Sequence, residues 1–249
     1  MLEVCIDSLS SALNAIHGGA DEIEVCSCLE LGGLTPSVGL VQEIIQAVGQ
    51  ISTGNLVHKT CPKDCKCLNL VKRPKLNIMI RSRSGVDYNY SELEMDTMLS
   101  DIEFFKTLPI DRFVFGALDH YGCIDGYNCR NVVKKADSIP LTFHRAFDES
   151  KDSSAQEAIE KIIQLGFTRL LTSGQKENIS DPSSFNLIKK LVESYGDKIE
   201  IMPGSGLNSA NAKSYIDLGC SIVHGSCKGI HKHSTDEKTV AFIKTVISS

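Results

Sequence analysis

An alternation repeated eight times constrains this chain more than any other feature: a short apolar or β-branched run, followed by a stretch of helical periodicity. The runs are residues 2–6 (LEVCI), 22–26 (EIEVC), 76–81 (LNIMIR), 112–117 (RFVFGA), 140–145 (PLTFHR), 169–173 (RLLTS), 199–204 (IEIMPG) and 221–225 (SIVHG). Each is short and apolar enough to be a parallel strand buried on both faces. Helix starts are expected at the capping residues Ser8, Ser91, Ser154, Asp181 and Ser209, with Glu94 and Glu157 placed to close capping boxes, and helix ends at Gly18, Gly166, Gly196 and Gly219. An open doubly wound sheet shares this local order. The count of eight favours closure into a TIM-like (β/α)8 barrel, an α/β fold with residues 1–249 as a single domain.

One stretch breaks the rhythm. Residues 49–75 are polar, basic and punctuated by Pro and Gly, and read as a surface loop inserted between the second helix and the third strand. It carries Cys61, Cys65 and Cys67 in a CxxxCxC spacing, with His58 the nearby candidate for a fourth metal ligand. A solvated, oxidation-prone loop is the better reading of it. His231 and His233 near the C-terminus read as part of another solvated loop.

Composition excludes several classes. A net charge of -5 without a Lys/Arg cluster argues against a nucleic-acid partner and for a small molecule or an ion. The N-terminus lacks a basic leader and no apolar run is long enough to span a bilayer, so the expected site of action is the cytoplasm, with the nucleus also open to it, and no membrane partner. Ten cysteines in a chain of 249 residues are too dilute for a disulfide scaffold, which leaves free thiols or metal ligands.

In a (β/α)8 barrel the polar residues at the carboxyl ends of the strands converge on one mouth. This selects Glu3 and Cys5, Glu24 and Cys26, Arg81, His144 and Arg145, Thr172 and Ser173, and His224 and Ser226. Side chains two residues apart share a strand face, so the first two strands each present an acid-x-Cys pair inward. One reading makes Cys5 and Cys26 thiolate ligands for a soft ion such as Cu(I). The other makes them small buried apolar residues, with the acids neutralised by Arg81 or Arg145. The turns TSG (172–174), PGSGL (203–207) and HGS (224–226) bring backbone N–H groups close to where an anion would sit.

The motifs EVCIDS, GGADEIEVCS, GGLTPSVGL, LTFHRAFDES, LGFTRLLTSG and IMPGSGL resemble, in order and spacing, those of the CutC copper-homeostasis family over nearly the whole chain. The resemblance implies a TIM-like barrel, a role in copper homeostasis with Cys5 and Cys26 as Cu(I) ligands, and a homo-oligomer. The chain departs from the family pattern at residues 80–85 (IRSRSG), which lack a proline and a glycine, and at Lys228, which replaces an arginine with a point charge.

Three activities follow as expectations. The first is Cu(I) binding at the barrel mouth through Cys5 and Cys26. The alternative is a barrel enzyme acting on a small phosphorylated or carboxylated metabolite, with Glu24 and His144 as acid and base. Its ligand would be held by Arg81, Arg145, Ser173, Gly204, Ser205, Gly206 and His224. The third is a scaffold without ligand, whose interior charges satisfy one another.

Overall fold

A computed structural model describes residues 1–51, 58–61, 63, 72–229 and 234–249. The eight expected strands form, as β1 (Leu2–Ile6), β2 (Glu22–Val25), β3 (Lys75–Met79), β4 (Arg112–Phe115), β5 (Leu141–Phe143), β6 (Arg169–Thr172), β7 (Glu200–Pro203) and β8 (Val223–Gly225). All pair in parallel, in the order β7-β6-β5-β4-β3-β2-β1-β8. The helices follow as α1 (Leu9–His17), α2 (Val38–Ile51), α3 (Glu92–Phe105), α4 (Gly126–Ala136), α5 (Ala155–Gln164), α6 (Pro182–Tyr195), α7 (Ala212–Asp217) and α8 (Glu237–Ser248). The fold is the expected (β/α)8 barrel, with one refinement. β7 and β8 come together at the closing seam without forming a ladder of their own.

Alternation along the strands divides the core. Leu2, Val4 and Ile6 of β1, Ile23 and Val25 of β2, and Phe113 and Phe115 of β4 join one large apolar cluster with the helices. Each large apolar side chain buried in this way contributes about 1.5–3 kcal/mol. Inside the barrel the apolar clusters are small, Cys26 with Met79 and Val114 in one and Leu171 with Met202 and Ile222 in the other.

Toward the amino ends of the strands the interior is ionic. Arg169 of β6 reaches across the barrel to Glu22 (2.7 Å) and Glu3 (3.2 Å), and its Nε also donates to Glu200. Asn77 donates to both Glu3 and Glu22, and Lys75 lies 3.3 Å from Glu22. Buried charges are tolerated only when paired and hydrogen-bonded; Arg169, Asn77 and Lys75 supply those partners here, leaving Glu3 Oε1 and Asn77 Oδ1 without a hydrogen bond among the described residues.

Caps explain most helix starts. Ser8, Ser91, Ser154 and Asp181 each accept a backbone N–H from the first turn, and Ser91 with Glu94 closes a full capping box. At Ser154 the hydroxyl half is present, while Glu157 pairs with Lys161 instead. Ser209 caps nothing. Its helix starts later, at Ala212, because Asn208 takes the N–H groups of Ala210 and Asn211 and holds the chain in turns. Replacing Ser91 with alanine is expected to cost about 1 kcal/mol in urea unfolding, the value of one such cap. An unchanged midpoint would show that the box contributes nothing.

The irregular stretch begins later than its composition indicates, since α2 continues through Ile51. Cys65 and Cys67, like His231 and His233, lie outside the described residues. Cys61 is buried rather than solvated, its sulfur 3.5 Å from Nε2 of His17 at the end of α1, and His58 is engaged with Thr60. Among the described residues no helix is long and apolar enough to cross a membrane.

Candidate functional site

The carboxyl ends of the strands enclose a cavity of about 400 Å³. Into it Cys5 of β1, Glu24 of β2 and His224 of β8 each turn one potential ligand atom, and these atoms lie within 4.8 Å of one another. The register explains the grouping: β1 and β2 pair Glu3 with Glu22 and Cys5 with Glu24. The two acid-x-Cys motifs are therefore staggered by one alternation, so a thiol faces an acid rather than the second thiol.

His224 Nε2 lies 2.8 Å from Glu24 Oε2 and 3.7 Å from Glu3 Oε1. Burial alone would lower the pKa of this imidazole. The Cys5 sulfur and the Glu24 carboxylate beside it reverse the effect and hold it well above the ordinary value. Glu24 Oε1 has no partner among the described residues.

Cys26 is fully buried just beyond β2, packed with Met79 and Val114, and stands outside the group of three ligand atoms. Burial first, then the charges of Glu24 and Cys5, push its thiol pKa well up. Gly33 closes over it: a Cβ there would approach the Cys26 sulfur to 3.2 Å at a backbone φ of +83°.

Glu3, one of the polar residues expected at the mouth, belongs instead to the ionic layer beneath it. Neither Arg81 nor Arg145 neutralises it. That role falls to Arg169, which the strand-end rule passed over because it opens its strand rather than closing it. Burial nonetheless leaves Glu3 with a pKa of about 7.

Arg81 is buried and largely spent on structure: Nη1 donates to the carbonyls of Leu31 and Gly33, each at 3.1 Å, and Nη2 to that of Gly85. Its guanidinium lies 4.9 Å from the centre of the Tyr88 ring, a cavity-lining residue that no sequence signal marked. His144 also lines the cavity. Glu24 pairs with His224 rather than with it; His144 instead accepts the Ala146 N–H at Nδ1 (3.1 Å), and its Nε2 has no partner among the described residues. Burial and the nearby Arg81 and Arg145 charges lower its pKa to about 3, so the ring is neutral at physiological pH.

Arg145 binds Asp148 (3.0 Å) and Ser173 Oγ (3.1 Å). Ser173 is fully buried and accepted into the Asp148 network, and it does not line the cavity. The TSG turn thus packs against Asp148 and α6 rather than opening toward a ligand. Gly204 sits at the β7–β8 seam, where a Cβ would come 3.1 Å from His224 Nδ1. Ser205 and Gly206, with φ of +70° and +80°, do line the cavity.

The CutC family model matches residues 1–60 and 66–229. The chain belongs to the CutC family. Residues 61–65, which include Cys61 and Cys65, fall outside the match, as does α8. A copper homeostasis protein cutC homolog from Caenorhabditis elegans is 37% identical over 94% of this chain and 82% of that protein. Its human counterpart is 38% identical over 92% and 73%. A CutC crystal structure from Streptococcus agalactiae superposes with a TM-score of 0.76 at 28% identity, covering 91% of this chain and 98% of that one. The KGPDC structure from Streptococcus mutans, at 13% identity and a TM-score of 0.59, shares the barrel architecture.

Proposed function

We propose that this CutC-family chain serves copper homeostasis by holding Cu(I) as cargo at the barrel mouth. The observation that carries the reading is the convergence of Cys5, Glu24 and His224 within 4.8 Å in a buried corner of the cavity. Cu(I) is a soft ion that prefers thiolate and also accepts imidazole, so Cys5 is the anchoring ligand and His224 the nitrogen donor. Glu24, 2.8 Å from the His224 Nε2, holds the imidazole at the mouth in the metal-free protein and gives up this contact when Nε2 turns to the metal. Cys26, close enough for its thiol to feel both Cys5 and Glu24, supplies the second thiolate on this reading. The names of the worm and human relatives support a copper role.

The test is Cu(I) competition against a chromophoric chelator with the metal-free full-length chain. Cys5→Ser is expected to weaken Cu(I) at least tenfold, about 1.4 kcal/mol, and the double variant Cys5→Ser/Cys26→Ser more. Uptake by the double variant equal to wild type would overturn the reading. An unchanged Cys26→Ser variant would reduce the site to Cys5, Glu24 and His224. We further place the protein in the cytoplasm as a homo-oligomer, a state that light scattering on a sizing column checks and a monomeric mass would refute.

A further inference from the structure

The cavity holds polar atoms that the contacts among Cys5, Glu24 and His224 leave unpaired. His144 is 3% exposed. Because its Nδ1 accepts the Ala146 N–H, the ring proton belongs on Nε2, which makes that atom a donor. It has no acceptor among the described residues, and neither does Glu24 Oε1 have a donor. Buried polar atoms are almost always paired, so an orphan donor and an orphan acceptor lining one cavity call for an outside partner.

A second set of groups lies on the same wall. The backbone N–H groups of Ser205, Gly206 and Leu207 meet no acceptor among the described residues. Ser205 Oγ and Arg145 Nη2 both donate to the Glu177 carbonyl, at 2.8 and 3.4 Å, which puts the guanidinium beside this turn. Arg145 Nη1 has no protein partner among the described residues. Adjacent main-chain N–H groups with a cation next to them make a cradle for an oxyanion.

We propose that the cavity binds a small phosphate monoester bearing a hydroxyl group. The phosphate sits on the Ser205–Leu207 N–H groups beside Arg145, and a hydroxyl donates to Glu24 Oε1 while accepting from His144 Nε2–H. A hydroxyl can do both at once, which is why a bare anion does not satisfy the cavity. The depressed pKa of His144 agrees with a neutral donor. About 400 Å³ is within the range of small-ligand sites. Glu24 is shared with the copper reading, and titrating the metal-free protein keeps the failure of one distinguishable from the failure of the other.

The experiment is a titration of the metal-free full-length chain with inorganic phosphate, glycerol 3-phosphate and glycerol, followed by amide NMR and calorimetry. Both phosphates are expected to shift the Ser205, Gly206 and Leu207 amides, with glycerol 3-phosphate binding roughly tenfold more tightly than inorganic phosphate, the equivalent of one net hydrogen bond. Glycerol alone is expected to leave them unmoved. His144→Phe is expected to bring the ester down to the affinity of inorganic phosphate. Should that variant not fold, the wild-type ratio of ester to phosphate decides the point. No shift at millimolar ligand, or shifts confined to other surfaces, would overturn the site. Equal affinity for ester and phosphate would overturn the assignment of His144 and Glu24.

Discussion

Arg169→Met is expected to destabilise the fold by about 3–5 kcal/mol, because it leaves the carboxylates of Glu3 and Glu22 buried without their cation. The methionine roughly matches the volume of the side chain, so the loss is electrostatic rather than a cavity effect. Lys75 reaches Glu22 from a half-exposed position and cannot reproduce the Arg169 contacts to both acids.

The pH dependence carries a sign that identifies the cause. Burial would raise the pKa of Glu22, but the Arg169 hydrogen bond and charge hold it at about 2, against an ordinary 4.5. Its stabilisation is therefore present above pH 4.5 and is lost as pH falls toward 2. Glu3 goes the other way. Burial lifts it to about 7, so its share is present below 4.5 and is lost as pH rises through 7. Without Arg169 both acids favour the protonated state in the folded protein, and the variant should recover stability on acidification. Urea unfolding at about pH 8 and about pH 5 should show the deficit shrinking at the lower pH. A deficit that is small or independent of pH would mean the ionic layer does not act as described.

Gly174→Ala is expected to cost about 2–4 kcal/mol, by left-handed strain added to overpacking. Its φ is +72°, and a Cβ would lie 2.7 Å from the Ser184 Cα and 2.8 Å from the Ser184 carbonyl oxygen, backbone atoms of α6 that cannot step aside. The same turn holds Ser173 against Asp148, so the damage should spread to Arg145. Gly39→Ala, at an open helical position with nothing within 4 Å, is the control and should be neutral or slightly stabilising. Thermal unfolding of the two variants side by side checks this, and equal midpoints would refute it.

The architecture was legible because its signals are local. Eight apolar runs marked eight strands, and a hydroxyl or carboxylate ahead of a periodic stretch marked four of the five helix starts read from caps. Ser209 misled because Asn208, one residue earlier, competes for the same backbone N–H groups. The site was legible in part. Cys5, Glu24, Arg81, His144, Arg145, His224 and Ser226 line the cavity as the strand-end rule expects, and Ser205 and Gly206 do so from their turn, whereas Cys26, Thr172, Ser173 and Gly204 do not line it. Tyr88 and Arg169 were missed, the first because a loop residue has no periodicity, the second because the rule favours the wrong end of the strand for an interior charge.

By itself the sequence determined which segments become strands, which of their faces turn inward, and that Cys5, Glu24, His144 and His224 come to one mouth. Only the tertiary structure decided which of them meet. Alternation along one strand fixes a side chain's face, but the stagger between strands comes from closing and packing the entire barrel. That stagger set Cys5 opposite Glu24, brought His224 to both, left Cys26 in an apolar niche, and sent Arg169 across the interior to Glu3 and Glu22.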